Sequence, residues 1–216
     1  AVLDCKPVVK EGTIDLDTEI LDENGEPVIL ETGTLEFKDV TFSYPDSSGE
    51  VVLSDINLKI NKGEKIGILG STGCGKSTLV KLIARFYDTT SGSVYIDGID
   101  VKDYKFSALR NKVAVVLQKS ELFSGTIKDN ICWGKEDATM EEVEYAAKIA
   151  QADTFINGFV DKYDTYVAEK GASLSGGQKQ RISIARALIK KPEILVFDDS
   201  TSALDLQTEA KLYQAI

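Results

Sequence analysis

The chain has 216 residues, of which 43% are hydrophobic, so it is long enough to bury the core of one globular domain with an added subdomain. Its formal net charge is −10, and residues 1–33 hold nine carboxylates against two lysines. The rest of the chain is close to neutral and has no basic stripe. Sequence-independent nucleic-acid binding therefore lacks its electrostatic source, and no nucleic-acid partner is expected.

The cysteines and the apolar runs exclude two further classes of protein. Cys5, Cys74 and Cys132 have no metal-type spacing, and the chain contains no histidine, so a zinc site is not expected. We expect reduced thiols in a cytosolic setting. The longest apolar runs, such as residues 113–117, are too short to cross a bilayer.

The first predicted elements follow an acid-rich start. Residues 1–33 show no lasting period, which favours a linker. Residues 35–42 and 53–60 alternate apolar with polar side chains, which predicts two half-buried antiparallel strands. Residues 65–69 predict a short strand that runs into a glycine-rich turn, and apolar residues then recur at helical spacing over 79–86.

The second half alternates buried strands with helices. Residues 113–117 and 194–197 are continuous apolar runs, as in parallel strands covered on both faces. Helices are predicted at 140–151, 176–190 and 206–216. The predicted fold class is α/β, with a parallel sheet, an N-terminal antiparallel β-subdomain and an inserted α-helical subdomain at about residues 120–190.

A phosphate-binding motif lies between the predicted strand and helix. Residues 70–77 match GxxxxGK[ST], the mark of a P-loop NTPase core, although a glycine-rich turn with a chance lysine is the plain alternative. Turned backbone N–H groups, the helix N-terminus and the Lys76 ammonium would hold phosphates, and the Ser77 hydroxyl would face Mg²⁺. We therefore predict ATP and Mg²⁺ as cofactors, bound by Gly70, Ser71, Thr72, Gly73, Cys74, Gly75, Lys76, Ser77 and Thr78.

Further motifs identify a family. Asp198 follows the apolar strand, as a second acidic partner of Mg²⁺ should. Leu174 precedes Ser175, Gly176, Gly177 and Gln178 ahead of an amphipathic helix. With Gln118 after a buried strand and residues 202–205 downstream, the motifs stand in the order of an ABC transporter nucleotide-binding domain. The resemblance covers residues 35–216, and we expect a domain over 34–216.

The resemblance implies roles for these residues. Ser175, Gly176, Gly177 and Gln178 would grip the γ-phosphate of ATP held by a second nucleotide-binding domain, in a head-to-tail dimer. Taken alone, Ser175 could simply cap its helix. The resemblance also makes Gln118 a contact of Mg²⁺ and of the attacking water, and the metal set becomes Ser77, Gln118 and Asp198.

Tyr44 matches the family aromatic residue that stacks on adenine. Any aromatic face can do so, and an ordinary strand tyrosine is the alternative.

Other segments resemble the exporter type. Residues 122–127, 129–131 and 165–171 look like the segments by which exporters engage the intracellular loops of a transmembrane domain, although Ala168 stands where glycine is usual. Residues 2–7 resemble the stretch after the last transmembrane helix of exporters with one fused chain. The implied function is ATP hydrolysis that drives export, at the cytoplasmic face of the membrane, with a transmembrane domain of the same polypeptide as partner.

Three rival functions are considered. A DNA-repair or chromosome-condensation ATPase would need a long coiled coil between Gln118 and Ser175, where only 56 residues lie and no heptads are sustained. A soluble ABC protein acting in translation would lack the exporter-like segments. A nucleotide-binding regulatory subunit with little or no hydrolysis stays open.

Asp199 departs from the family pattern, which has glutamate after Asp198 as the group that polarises the attacking water. A carboxylate withdrawn by about 1 Å loses much of its effect as a base. The expected site is therefore impaired and paired with a different subunit that supplies glutamate, unless the backbone shifts and Asp199 works normally. Lys76, Gln118 and Asp199 are the catalytic candidates.

The chain also lacks the family histidine that contacts the γ-phosphate. The sequence has no initiating methionine, which points to a fragment or a processed chain. We expect the domain to be incomplete at its C-terminal end, and the isolated 216-residue chain to be unstable or catalytically silent.

Overall fold

The computed structural model describes residues 9–45 and 49–216. The predicted resemblance of residues 2–7, together with Cys5, lies outside the described residues. The chain divides into two compact units, Ala1–Val113 and Ala114–Ile216.

The first unit is built on an antiparallel sheet of four strands in the order β2-β1-β3-β4. The two predicted strands are confirmed, with Leu35 opposite Ile60 and Phe37 opposite Leu58. Register shifts beyond Phe37 keep Val40 and Phe42 buried on the core side of β1. The strands are β1 (Leu35–Phe42), β2 (Leu53–Ile60), β3 (Ser91–Ile96) and β4 (Ile99–Asp100).

Two helices complete this unit, α1 (Lys76–Ile83) and α2 (Phe106–Lys112). Helix α1 buries Leu79, Leu82 and Ile83, as the predicted spacing requires. The helix ends earlier than predicted, and Phe86 is 49% exposed beyond it.

The predicted strand at residues 65–69 is wrong for this structure. No strand is assigned there, and Ile66, Ile68 and Leu69 are 47%, 46% and 96% exposed. A strand exists only where a neighbouring strand takes up its backbone hydrogen bonds, and among the described residues no strand forms a ladder with this segment. The apolar pattern reports a preference for burial but not the presence of that neighbour.

The described part of the predicted linker, residues 9–33, belongs to the first unit and is hydrogen-bonded to the rest of it. The Gly12 N–H donates to the Tyr104 carbonyl at 3.1 Å, the Ile14 N–H donates to Asp103 at 2.8 Å, and the Lys105 N–H donates back to Ile14 at 2.8 Å. A Cβ on Gly12 would lie 2.2 Å from the Asp103 backbone, so only glycine allows this approach. These bonds use the backbone and therefore leave no side-chain period in the sequence.

Asp97 ties this segment to the core. Asp97 is buried, with 3% of its surface exposed. Its carboxylate accepts the Gly33 N–H at 2.7 Å and the Thr34 N–H at 3.1 Å, and it lies 2.7 Å from the Lys112 ammonium group. A buried carboxylate needs such partners, because burial without them is costly.

We expect Asp97→Asn to lower the free energy of unfolding by about 3 kcal/mol, because Lys112 loses its buried counter-charge while asparagine still tolerates the positive φ of 55°. Glu36→Gln, in the exposed pair with Lys38, should change it by less than about 1 kcal/mol. Urea unfolding of the purified protein measures both. Equal effects of the two variants would contradict the role of Asp97.

The second unit combines helices with two small sheets. Its helices are α3 (Ile127–Cys132), α4 (Met140–Ile149), α5 (Asp153–Ile156), α6 (Gly176–Leu188) and α7 (Leu206–Ala215), with short 3-10 turns at Lys162–Asp164 and Glu169–Gly171. Its strands are β5 (Val113–Val116), which pairs with β8 (Ile194–Phe197), and β6 (Gly125–Thr126), which pairs with β7 (Tyr166–Val167). The strands and helices predicted here are confirmed: β8 has the predicted bounds, and the others end one or two residues earlier than predicted.

One apolar core holds these elements together. Its fully buried members come from several helices, among them Ile127, Ile131, Val143, Ile182 and Leu212. In the part of the chain that the structure describes, no helix combines the length and the apolar character of a membrane span.

Candidate functional site

The glycine-rich loop at residues 70–77 leads directly into α1, which begins at Lys76. Gly73 and Gly75 have φ angles of 84° and 95°, which non-glycine residues rarely adopt. A Cβ on Gly75 would also lie 2.7 Å from Leu53 Cδ2. Both the backbone conformation and the space at this position therefore favour glycine. No side chain caps the helix at Gly75. Such a helix start presents backbone N–H groups and a partial positive charge to an anion.

Lys76 places its ammonium group over the same loop. Its Nζ donates to the Gly70 carbonyl at 2.6 Å and to the Ser71 carbonyl at 2.9 Å, and lies 3.7 Å from Cys74 Sγ. These carbonyl contacts hold a full positive charge at the loop, where a phosphate oxygen could replace the carbonyls as acceptor.

Tyr44 is joined to the start of α1. Its hydroxyl lies 2.9 Å from Thr78 Oγ1, and its ring meets Phe42 and Tyr87 edge-on, at centroid distances of 4.9 Å and 5.2 Å. The ring is half-buried. The structure therefore brings together Tyr44 and Thr78, two predicted nucleotide-binding residues, and adenine stacking by Tyr44 stays a prediction.

In the second unit, three predicted residues meet beyond the ends of β5 and β8. The Asp198 N–H donates to the Val116 carbonyl at 3.0 Å, which aligns the two strand ends. Gln118 Nε2 then donates to Asp199 Oδ2 at 2.8 Å. The carboxyl ends of paired parallel strands are a common place for ligands in α/β proteins, because side chains from neighbouring strands converge there.

The family motif at Ser175, Gly176, Gly177 and Gln178, called the signature below, forms the start of α6. Ser175 is the N-cap: its Oγ accepts the Gln178 N–H at 3.3 Å, while Gln178 Oε1 accepts the Ser175 N–H at 2.9 Å. Ser175 and Gly176 are exposed, whereas a Cβ on Gly177 would lie 2.9 Å from the Ala203 carbonyl oxygen. Ser175 therefore does cap its helix, and anion binding at this exposed helix start stays a prediction.

The exporter-like segments come together in the same unit. The Ile127 N–H donates to the Thr165 carbonyl at 3.0 Å, and Gly125 and Thr126 pair with Val167 and Tyr166. Sequence reasoning gave no sign of this pairing, because both strands are only two residues long.

Arg186 was not a candidate from the sequence, yet it organises this region. Its guanidinium donates to the Asn130 carbonyl at 2.8 Å, to Asn130 Oδ1 at 3.0 Å and to the Glu121 carbonyl at 3.1 Å. Burial lowers the pKa of Arg186 from its ordinary value. Beside it, Phe123 stacks on the exposed Trp133 at 4.2 Å. The result is a fixed aromatic surface.

The oxygen donors predicted for Mg²⁺ are chemically suitable. A hydroxyl, an amide carbonyl and a carboxylate, from Ser77, Gln118 and Asp198, are hard ligands of the type Mg²⁺ prefers. The described residues contain no cluster of three or more His, Cys, Asp or Glu side chains for a metal. Such a cage is not needed, because Mg²⁺ commonly takes few protein ligands and completes its shell with water and substrate phosphates.

An uncapped helix start behind a glycine-rich loop with an overlying lysine is typical of P-loop nucleotide-binding domains. The ABC transporter family model matches residues 53–202, which is more than half of the chain. The chain belongs to the ABC transporter family.

Individual relatives refine this assignment. YgaD of Bacillus subtilis (strain 168), which carries the provisional name of a multidrug export ATP-binding/permease protein, is 52% identical over 184 residues, covering 85% of this chain and 32% of the relative. YfiB of the same strain, an uncharacterized ABC transporter ATP-binding protein, is 52% identical over 197 residues, covering 90% of this chain and 34% of the relative. The chain thus spans about a third of the length of these relatives.

A solved structure agrees with the fold. A bacterial Atm1-family ABC exporter with ATP bound superimposes with a TM-score of 0.83 and 36% sequence identity, covering 96% of this chain and 35% of that chain. The fold class predicted from the sequence is confirmed.

The two signature glycines offer a matched comparison. We expect Gly177→Ala to lower the free energy of unfolding by about 1–3 kcal/mol, because its Cβ presses on the Ala203 backbone. Gly176→Ala meets only an ordinary 3.8 Å contact and should be neutral or stabilising by up to about 1 kcal/mol. Thermal and urea unfolding compare the variants, and indistinguishable results would contradict the packing described.

Proposed function

We propose that this chain is the ATP-binding and ATP-hydrolysing domain of an ABC exporter, which drives export of a substrate through nucleotide-sandwiched dimerisation. The observation that carries the proposal is the lysine-covered glycine loop at the start of α1, together with a signature helix start on the same chain. The family and the exporter relatives support it.

Nucleotide binding is assigned to two groups of residues. Residues 70–78 bind the phosphates through backbone amides, the α1 N-terminus and Lys76, while Tyr44 stacks on adenine. Ser77, Gln118 and Asp198 would hold Mg²⁺, which supplies charge neutralisation at the β- and γ-phosphates when bound. Asp199 is the group that accepts a proton from the attacking water.

The signature residues act on the ATP that is bound by the partner domain. The exposed start of α6 at Ser175 and Gly176 would hold the γ-phosphate of ATP on a partner domain, so that ATP joins the two domains. The pairing is head to tail, because each domain presents a phosphate loop and a signature to the other.

The membrane partner is proposed from the paired segments 122–131 and 165–171. Arg186 and Asn130 hold the first of these in place, and Phe123 and Trp133 form an exposed aromatic face beside it. An intracellular loop of a transmembrane domain would dock there, at the cytoplasmic face of the membrane. YgaD, whose name joins an ATP-binding and a permease part, supports a transmembrane domain in the same polypeptide.

A second candidate function is a nucleotide-binding regulatory subunit with little hydrolysis. It is favoured by Asp199, whose side chain is one methylene shorter than the glutamate usual in the family. In that case the partner domain would be a different subunit that supplies glutamate. A soluble, non-transport ABC ATPase is less well supported. Such a protein would not need the exporter-like segments, and it would not account for the similarity to an ATP-binding/permease protein.

We expect Lys76→Ala in the natural full-length protein to weaken MgATP binding by about a hundredfold or more, because the loop loses its full positive charge. Lys59→Ala, an exposed lysine on β2, should bind as the wild type does. Equilibrium binding of a fluorescent ATP analogue measures both. Unchanged binding by Lys76→Ala would overturn the assignment of the loop.

Asp199→Glu should raise ATP hydrolysis at this domain's own site by about tenfold to a hundredfold, because the longer carboxylate reaches the attacking water. Phosphate release by the purified transporter, with ATP binding measured in parallel, provides the test. An unaltered rate would show that Asp199 is already a competent base and would reject the impaired-site interpretation.

A further inference from the structure

Tyr44 is joined to helix α1 at its hydroxyl group and at its ring. Thr78 and Lys81 lie three positions apart on α1 and therefore on the same face of the helix. The Tyr44 hydroxyl lies 2.9 Å from Thr78 Oγ1 and 3.5 Å from Lys81 Nζ. The Lys81 ammonium group also lies over the Tyr44 ring, 5.5 Å from its centroid. Lys81 thus contacts a predicted nucleotide-binding residue, although it lies outside the glycine-loop motif.

Neighbouring groups hold Tyr44 in this place. The backbone N–H of Ser43 donates to Thr90 Oγ1 at 3.0 Å. The Tyr44 ring meets Phe42 and Tyr87 edge-on, with interplanar angles of 81° and 88°. Phe42 itself belongs to the core of the first unit. The position of the ring is therefore set by packing within the protein.

A positive charge over an aromatic ring alters how the ring stacks. The face of a tyrosine ring carries a partial negative charge, so the Lys81 ammonium group is attracted to it and draws electron density toward itself. The opposite face becomes poorer in electrons. Adenine is an electron-rich base, and it stacks more strongly on an electron-poor ring. Lys81 can therefore act on a bound base without contacting it.

We infer that Lys81 is a positioning residue for the adenine base of ATP, acting through Tyr44. Its ammonium group restrains the ring and strengthens stacking on the face that it does not cover. The inference rests on the proposed function, in which Tyr44 stacks on adenine. The two lysines of α1 then have separate tasks, since Lys76 holds the phosphates and Lys81 supports the base.

A general electrostatic role for Lys81 would give a different result. A charge that acts at long range attracts phosphates whether or not they carry a base. A charge that acts through Tyr44 favours only ligands that have a base to stack. The two roles are therefore separated by comparing a nucleotide with a polyphosphate that lacks the adenosine part.

The test measures equilibrium binding of two probes to the natural full-length protein in the presence of Mg²⁺. The probes are AMP-PNP, an analogue of ATP that is not hydrolysed, and inorganic tripolyphosphate. We expect Lys81→Met, which keeps an apolar stem but loses the charge, to weaken AMP-PNP binding by about threefold to fivefold. Tripolyphosphate binding should change by less than about 1.5-fold, because no base is present. Equal weakening of both probes, or unchanged binding of AMP-PNP, would overturn the inference.

A double-mutant cycle checks that Lys81 acts through the tyrosine. Tyr44→Ala should weaken AMP-PNP binding by about tenfold and leave tripolyphosphate binding within about twofold, because only the stacking is lost. In that background Lys81→Met should cause no further loss, since the ring on which the charge acts is absent. A further loss as large as in the wild-type background would show that Lys81 acts by another route and would contradict the inference.

A conservative variant and a matched control complete the set. Lys81→Arg keeps a cation that binds aromatic faces, so AMP-PNP binding should stay within about twofold of the wild type, and a loss as large as that of Lys81→Met would count against the inference. Lys38 lies over the Tyr95 ring at 4.8 Å, and neither residue is assigned to the nucleotide. Lys38→Met should therefore bind both probes as the wild type does, and an effect equal to that of Lys81→Met would contradict a specific role for Lys81.

Failure of the inference is distinguishable from failure of the proposed function. If the wild type binds neither probe, or if Lys76→Ala binds both as the wild type does, the proposed function is rejected together with the inference. If Lys76→Ala loses both probes while Lys81→Met binds AMP-PNP as the wild type does, only the role of Lys81 is rejected.

Discussion

The backbone of the loop before α1 is the constraint on which the rest of the site depends. Successive N–H groups can turn toward one phosphate only if the chain adopts positive φ angles, as it does at Gly73 and Gly75. Leu53 packs where a Cβ on Gly75 would lie, so the sheet enforces the same choice from the other side. With that geometry in place, the Lys76 ammonium adds a charge to a surface already prepared by the backbone.

In the second unit, it is side chains that regular structure brings together at a possible ligand site. Pairing of β5 and β8 aligns two strand ends, and the alignment lets Gln118 reach Asp199 across 81 positions of sequence. Between these two residues in the chain, the capping of α6 by Ser175 and Gln178 presents another helix start to solvent. In both places regular structure brings polar groups to an edge where a ligand can reach them.

The acidic N-terminal segment is held against the rest of the first unit mainly by hydrogen bonds of its backbone. Gly12 and Ile14 are held by the turn at residues 103–105, and Asp97 collects the N–H groups of Gly33 and Thr34. The carboxylates that dominate its composition stay mostly exposed, which explains why composition favoured a linker. Its assignment as the connection to a transmembrane domain remains a prediction.

The sequence by itself determined the phosphate loop, the signature, the alternating strands β1 and β2, and the long helices, because each is a local pattern with a local physical cause. Tertiary structure alone decided the contacts that join distant segments: the pair of Gln118 with Asp199, the anchoring of residues 122–131 by Arg186 through Asn130, and the pairing of β6 with β7. The strand that was predicted at residues 65–69 but does not form was likewise decided by tertiary structure. A strand needs a neighbouring strand, and no local pattern in the sequence shows whether that neighbour is present.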